Sequence, residues 1–157
     1  MPWNVDTTHS DVTFSVKHMM VSKVVGNFSL FKGTLEIDEE HPENSWVEAD
    51  ADASSVNTRD ERRDGHLRSP DFFDVEKYPA IIFKSKKVEA KGGGEYKILG
   101  DFTMHGVTKE VVFDAEYGGQ MPKDLYGMRR AGLTATATIN RKDFGLNWNQ
   151  ALETGGV

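Results

Sequence analysis

Cysteine is absent from this 157-residue chain, and that absence removes several classes of protein at once. No disulfide framework, thiolate nucleophile or cysteine-based zinc site can be built. The compartment stays open, because a periplasmic protein can lack cysteine too. Long apolar runs are missing as well. No stretch approaches the roughly 20 apolar residues of a membrane span. The opening MPWNVDTTHSDV has neither the basic n-region nor the apolar core of a signal peptide. The expectation is a soluble cytoplasmic protein with no membrane span, or a periplasmic one if a leader has been removed.

An excess of positive charge is also lacking. The net charge is −6, and both signs are interspersed, as in RDERRD at 59–64. Such a surface keeps a protein soluble and argues against nucleic acid as a partner. The five histidines, His9, His18, His41, His66 and His105, show no metal-ligand spacing. HExxH, GxSxG and a glycine-rich phosphate loop do not occur. HSD at 9–11 holds the residue types of a hydrolase triad, but adjacent side chains at a strand start diverge and cannot form a relay. KGGGE at 91–95 lies between two strand patterns and reads as a hairpin. The expectation is therefore no catalytic residue, no metal and no cofactor.

Alternation with a period of two is present from end to end. Successive side chains of a strand point to opposite faces. In 133–139, Leu133, Ala135, Ala137 and Ile139 share one parity and three threonines the other. Val12, Phe14 and Val16 alternate in 10–17, and Val47, Ala49, Ala51 and Ala53 in 46–53. Tyr96, Ile98, Gly100, Phe102 and Met104 alternate in 96–104, and Val111, Phe113, Ala115 and Tyr117 in 111–117. Segment 26–38 changes parity between Leu30 and Phe31, which predicts a bulge. Residues 78–85 make a shorter strand after a proline. Glycine, proline, asparagine or aspartate separate these segments at 41–45, 91–95, 105–108 and 118–124.

One segment departs from the alternation. In 57–74, Thr58 and Glu61 have capping-box spacing, and Ser69 before Pro70 marks a second helix start. Two short helices turning at Gly65 are expected, the first a charged, solvated face and the second offering Phe72 and Phe73. A helical turn is also expected over 19–25.

Seven strands and one helical insertion predict a single all-β domain, 1–157, built as an antiparallel barrel or sandwich. A domain of this length buries roughly 70% of its unfolded surface, enough for a core without staples. The small residues on the apolar parity are unusual, because Val, Ile and Phe would bury more area. A barrel of about eight strands is either filled by side chains or holds one ligand. Two readings of Ala49, Ala51, Ala135, Ala137 and Gly100 stay open: a hollow interior, or close packing of a helix on the sheet.

Five ordered blocks carry a resemblance. WNVDTTHSDVTFSVKHMMVSKVVGNFSLFKGTL, DADASSVNTRDERRDGHLRSPDFFD, YPAIIFKS, GDFTMHGVTKEVVF and INRKDFGLNW resemble the YceI-like proteins, lipocalin-like binders of polyisoprenoids. The resemblance covers almost the whole chain. It implies an antiparallel lipocalin-like β-barrel with helices near one end and a long apolar tunnel. It also implies carriage or storage of an isoprenoid quinone or another long-chain amphiphile, without catalysis.

On that footing the expected tunnel lining begins with Phe14, Val16, Met20, Phe28 and Leu35. It continues through Val47, Ala49, Phe72, Phe83, Phe102 and Met104. It ends with Phe113, Leu133, Ala135, Ala137, Ile139 and Trp148. Each of these residues is equally at home in an ordinary core. Family members usually continue past the ETGGV element with a final strand. Either that last strand is missing from the sequence shown or the barrel has an open edge, and an open edge would invite pairing with another chain as a homodimer. Two rivals remain: an enzyme using the tunnel, with His9, His18 or His66 as base, and a filled barrel acting as an interaction module.

Overall fold

A computed structural model describes residues 3–6, 10–18, 22–38, 40–121 and 130–146. Ten strands occur among them. They are β1 (Trp3–Asn4), β2 (Thr13–His18), β3 (Ser22–Phe28), β4 (Phe31–Glu36) and β5 (Trp46–Asp52), followed by β6 (Val56–Asn57), β7 (Ala80–Gly92), β8 (Glu95–Met104), β9 (Val107–Met121) and β10 (Arg130–Thr136). A seven-stranded sheet has the order β1-β4-β5-β7-β8-β9-β10, and a three-stranded sheet the order β2-β3-β6. Every pairing is antiparallel. The larger sheet curls as the wall of an antiparallel, lipocalin-like β-barrel, the fold class that the alternation and the resemblance predict. None of the described helices is long and apolar enough to cross a membrane.

The tight turns follow from local chemistry. Gly92, Gly93 and Gly94 all have positive φ at the β7–β8 hairpin, as do His105 and Gly106 between β8 and β9. Two successive residues with positive φ match the right-handed twist of the strands they join. Between β4 and β5, the Asp38 carboxylate accepts the backbone N–H groups of Glu40 (3.1 Å) and His41 (2.9 Å).

Several expectations need correction. The parity change at Leu30–Phe31 is a corner, not a bulge. The chain bends at Ser29–Leu30, leaving β3 in one sheet and entering β4 in the other. The corner is tied to residues 52–55: Leu30 N–H donates to Ser55 Oγ (3.1 Å), and Asp52 N–H donates to Leu30 O (2.8 Å). Residues 22–25 belong to β3 rather than to a helical turn, as suits the β-branched pair Val24–Val25; positions 19–21 lie outside the described residues. Residues 118–121 continue β9 instead of turning.

The insertion holds one α-helix, α1 (Glu61–Arg68), that runs through Gly65. Its N-cap is Asp60, whose carboxylate accepts Arg62 N–H (3.1 Å) and Arg63 N–H (3.2 Å). Aspartate next to the first helical residue outcompetes the Thr58–Glu61 box, because it reaches two orphan N–H groups at once. Ser69 closes α1 as its C-cap. The following residues 70–77 form turns, with Phe73 N–H donating to Leu67 O (2.9 Å).

Strand β10 ends at Thr136, not Ile139. Beyond the Thr136–Asp114 pair the chain leaves the ladder, Ala137 packs beside the core, and a 3-10 turn follows at Arg141–Phe144. That departure lets Phe144, 2% exposed, become the most buried large side chain among the described residues.

Candidate functional site

Directly opposed residues of an antiparallel pair project to the same face, so the register reads out the concave wall in rows. Phe31, Ala51 and Ile81 form one row, with Met104 and Val107 opposed further along it. Gly33, Ala49, Phe83, Phe102 and Lys109 form the next. Ser85, Gly100 and Val111 follow, then Val88, Ile98 and Phe113, then Ala90, Tyr96, Ala115 and Ala135. The convex face carries the charges instead. Lys86 bridges Asp101 and Glu110 (both 3.2 Å), Lys97 meets Asp114 (2.9 Å), and Lys87 and Lys91 flank Glu89.

Two apolar clusters sit on the concave side. One gathers Phe28, Ala51, Val56, Phe73, Ile81, Met104, Val111, Phe144 and Leu146. The other gathers Phe83, Val88, Ile98 and Ala115, with Val47 and Leu133 packed on it. Phe102 and Phe113 touch both. They are the hinge between an end packed by the insertion and a wall that continues toward β10. Ser85 adds little polarity to this face, since its Oγ accepts Val47 N–H at 2.8 Å.

The small residues do different jobs. Gly100 leaves no vacancy: a Cβ there would meet Phe83 Cζ at 2.7 Å and would also collide with Lys84 O. The ring of Phe83 therefore lies along the sheet over Gly100. Phe14 does the same over Gly26, its register partner, where a Cβ would meet Phe14 Cζ at 2.6 Å. Glycine under an aromatic ring is a known way of filling a bare stretch of sheet. Ala51 is buried in the core, whereas Ala49 is half-buried beside Gly33 and Val5.

The expected lining residues fall into groups. Phe28, Phe83 and Met104 are buried, and Leu35, Val47, Ala49, Phe102, Phe113, Leu133 and Ala137 are half-buried. Phe14 is half-buried against Phe28, ring centroids 5.4 Å apart. Phe72 is also half-buried and stands edge-on to His66 at 5.0 Å. Val16 stands in β2 opposite Val24. Ala135 and Ile139 are exposed, and Ile139 lies past the end of β10. Met20, Trp148 and His9 lie outside the described residues.

Sequence reasoning named Phe73 but left it out of the lining, and it missed Phe144 and Leu146, because a 3-10 segment and the turn after it have no periodicity to read. It also missed Lys109, whose parity with Val111 and Phe113 was legible.

The insertion is anchored by a polar knot. Buried Asp64 accepts both Thr58 N–H (2.8 Å) and Thr58 Oγ1–H (2.6 Å). Arg63 donates from Nε to Thr58 Oγ1 (2.8 Å) and from Nη2 to Thr58 O (2.9 Å). Thr58, 4% exposed, is thereby fully used. His66 is engaged with Asp71 at 2.8 Å. Among the described residues, no group of three or more His, Asp or Glu side chains could hold a metal ion.

Comparison with known proteins gives a consistent result. The family model "YceI-like domain" matches residues 3–157. A UPF0312 protein of Staphylococcus aureus strain N315 is 42% identical over 152 residues, covering 97% of this chain and 86% of its own. The crystal structure of the Campylobacter jejuni YCEI protein superposes with a TM-score of 0.73 at 36% identity, covering 90% of this chain and 82% of that one. Burkholderia cenocepacia BcnA shares the fold, with a TM-score of 0.83 at 21% identity over 92% of this chain and 86% of its own.

Proposed function

The chain belongs to the YceI-like family, and we propose that it binds and carries a polyisoprenoid, or another long-chain amphiphile, along its concave wall. The observation that carries this reading is the division of charge between the two faces. Along β4, β5, β7, β8 and β9 the concave positions set by the register are apolar, glycine or neutral polar, with Lys109 the sole charge, and β10 adds only Arg130, paired with Met121 at the far end of the wall. Apolar surfaces with a few polar groups are the usual lining of small-molecule sites.

The reading is of carriage without turnover. The lipid leaves chemically unchanged, and neither metal nor nucleotide takes part. A filled barrel is the competing reading, favoured by Phe144, whose ring sits edge-on to Phe102 at 5.5 Å.

Native mass spectrometry of protein purified without detergent tests both. The expected result is a bound species of lipid mass that is released on denaturation and recovered intact in organic extract. Protein that is lipid-free and takes up no added isoprenoid would establish the filled barrel. Conversion of the added lipid to a new species would establish an enzyme.

A further inference from the structure

Lys109 is the one charged residue that the ladder from β4 through β9 places on the concave wall, the other charge of that parity being Arg130, opposite Met121 at the far end of β9. The β8–β9 register runs without a shift from Glu95–Glu116 to Met104–Val107, so Phe102 and Lys109 are directly opposed. Their side chains leave the sheet on the same side. Phe102 identifies that side, since it packs into both apolar clusters and against Phe144. The nearest acid in sequence cannot neutralise Lys109. Glu110 points to the opposite face, where it is held by Lys86 at 3.2 Å. Among the described residues no carboxylate pairs with Lys109, and its side chain is exposed.

Position matters as much as charge. Lys109 lies two residues from the start of β9, close to the tight turn at His105–Gly106. It also lies beyond the last β9–β10 pair, Thr136–Asp114. An ammonium on a four-carbon stem can rest its methylenes on neighbouring apolar wall and hold its head in water. It offers three donors and no acceptor. An oxygen-rich anion satisfies those donors better than a neutral head, because charge-assisted hydrogen bonds are the stronger kind.

We propose that Lys109 is the headgroup residue of the site, pairing with the anionic oxygens, phosphate or carboxylate, of an amphiphile whose chain lies on the concave wall. This rests on the carrier reading above and adds the chemistry of the head.

Calorimetric titration with geranylgeranyl diphosphate, geranylgeranoic acid and geranylgeraniol, which share one chain, tests it. The two anions are expected to bind roughly five- to tenfold more tightly than the alcohol, a range set by exposed ion pairs and charged hydrogen bonds. Added salt should narrow that margin. Lys109→Met should abolish the margin, bringing the two anions to the affinity of the alcohol measured on the same variant, and Lys109→Arg should restore it. A diphosphate bound best marks a phosphate head, and an acid bound best marks a carboxylate head; either ranking supports the proposal. Equal affinity for all three in the unaltered protein overturns the headgroup role and leaves the carrier intact. A margin that survives in Lys109→Met overturns the assignment to Lys109. Binding of none of the three overturns both. Since Lys109 is exposed, its variants should melt with the unaltered protein.

Discussion

The rings of Phe83 and Phe113 meet edge-on, with centroids 4.8 Å apart and planes inclined at 70°, although a whole strand separates β7 from β9. They can meet because Gly100, on the intervening strand, has no side chain to hold them apart. Such aromatic pairs add about 0.5–1.5 kcal/mol beyond their burial. Gly100→Ala is expected to cost about 1–3 kcal/mol or more, as overpacking does, because both a ring and a backbone carbonyl must move. Urea denaturation measures this. In a Phe83→Ala background the same change should cost at least about 0.5 kcal/mol less, as residues in contact couple. Additive losses would show that the ring and the glycine are independent.

Asp64 is expected to anchor the insertion. Asp64→Ala leaves the buried N–H and hydroxyl of Thr58 without their acceptor. Each orphaned buried group costs about 1–3 kcal/mol, so the two together predict a loss of about 2–6 kcal/mol in thermal or urea melts. Asp60→Ala removes only an exposed cap and should cost about 1 kcal/mol. A reversed order of the two would place the anchor at the cap instead.

Enlarging the two alanines of segment 133–139 should separate folding from binding. Ala135 is exposed on the concave parity, opposite buried Ala115. Ala135→Phe should therefore leave the melting midpoint of lipid-free protein unchanged and reduce lipid retention. Ala137 is half-buried against the core, so Ala137→Phe should overpack it by about 1–3 kcal/mol and lower the midpoint by several degrees. Retention that is unaffected in folded Ala135→Phe would place the lipid path elsewhere.

Stability should be flat across neutral pH. Hydrogen bonds from Lys87 and then Lys91 hold the Glu89 carboxyl below the usual carboxylate range, and the His41 backbone N–H does the same for Asp38. A depressed acid contributes stability that is fully present above its unfolded value, near 4.5 for Glu and 3.8 for Asp. That contribution is lost only as pH falls through the lower folded value. Lys86, raised by Glu110 and then Asp101, contributes below 10.5 and loses that contribution as pH rises through the folded value. Lys86 is exposed and Asp38 and Glu89 are only half-buried, so solvent screening keeps each contribution small. Thermal midpoints measured from about pH 6 to pH 9 should hold level and then decline in acid. A fall within the neutral range would show that these three groups do not govern the pH dependence.

The local pattern of residues was enough to determine most strands and which residues share a face. Alternation in 46–52 and 95–104 is a property of neighbouring residues, and strands formed there. The glycines at 92–94 likewise marked a hairpin, because positive φ is a local demand. Tertiary structure decided whatever depends on a distant partner. The parity change at Leu30–Phe31 is a move between sheets, fixed by Asp52 and Ser55 more than twenty residues away. Thr58 turned from a helix cap into a buried partner of Asp64, because Asp60 had taken the cap. Gly100 looked like a vacancy until register brought Phe83 across it. Lys109 had a legible parity, but only pairing set it beside Phe102 on the concave wall. Periodicity reports which side of its own strand a residue takes; pairing register, set by contacts far apart in the chain, decides what stands beside it.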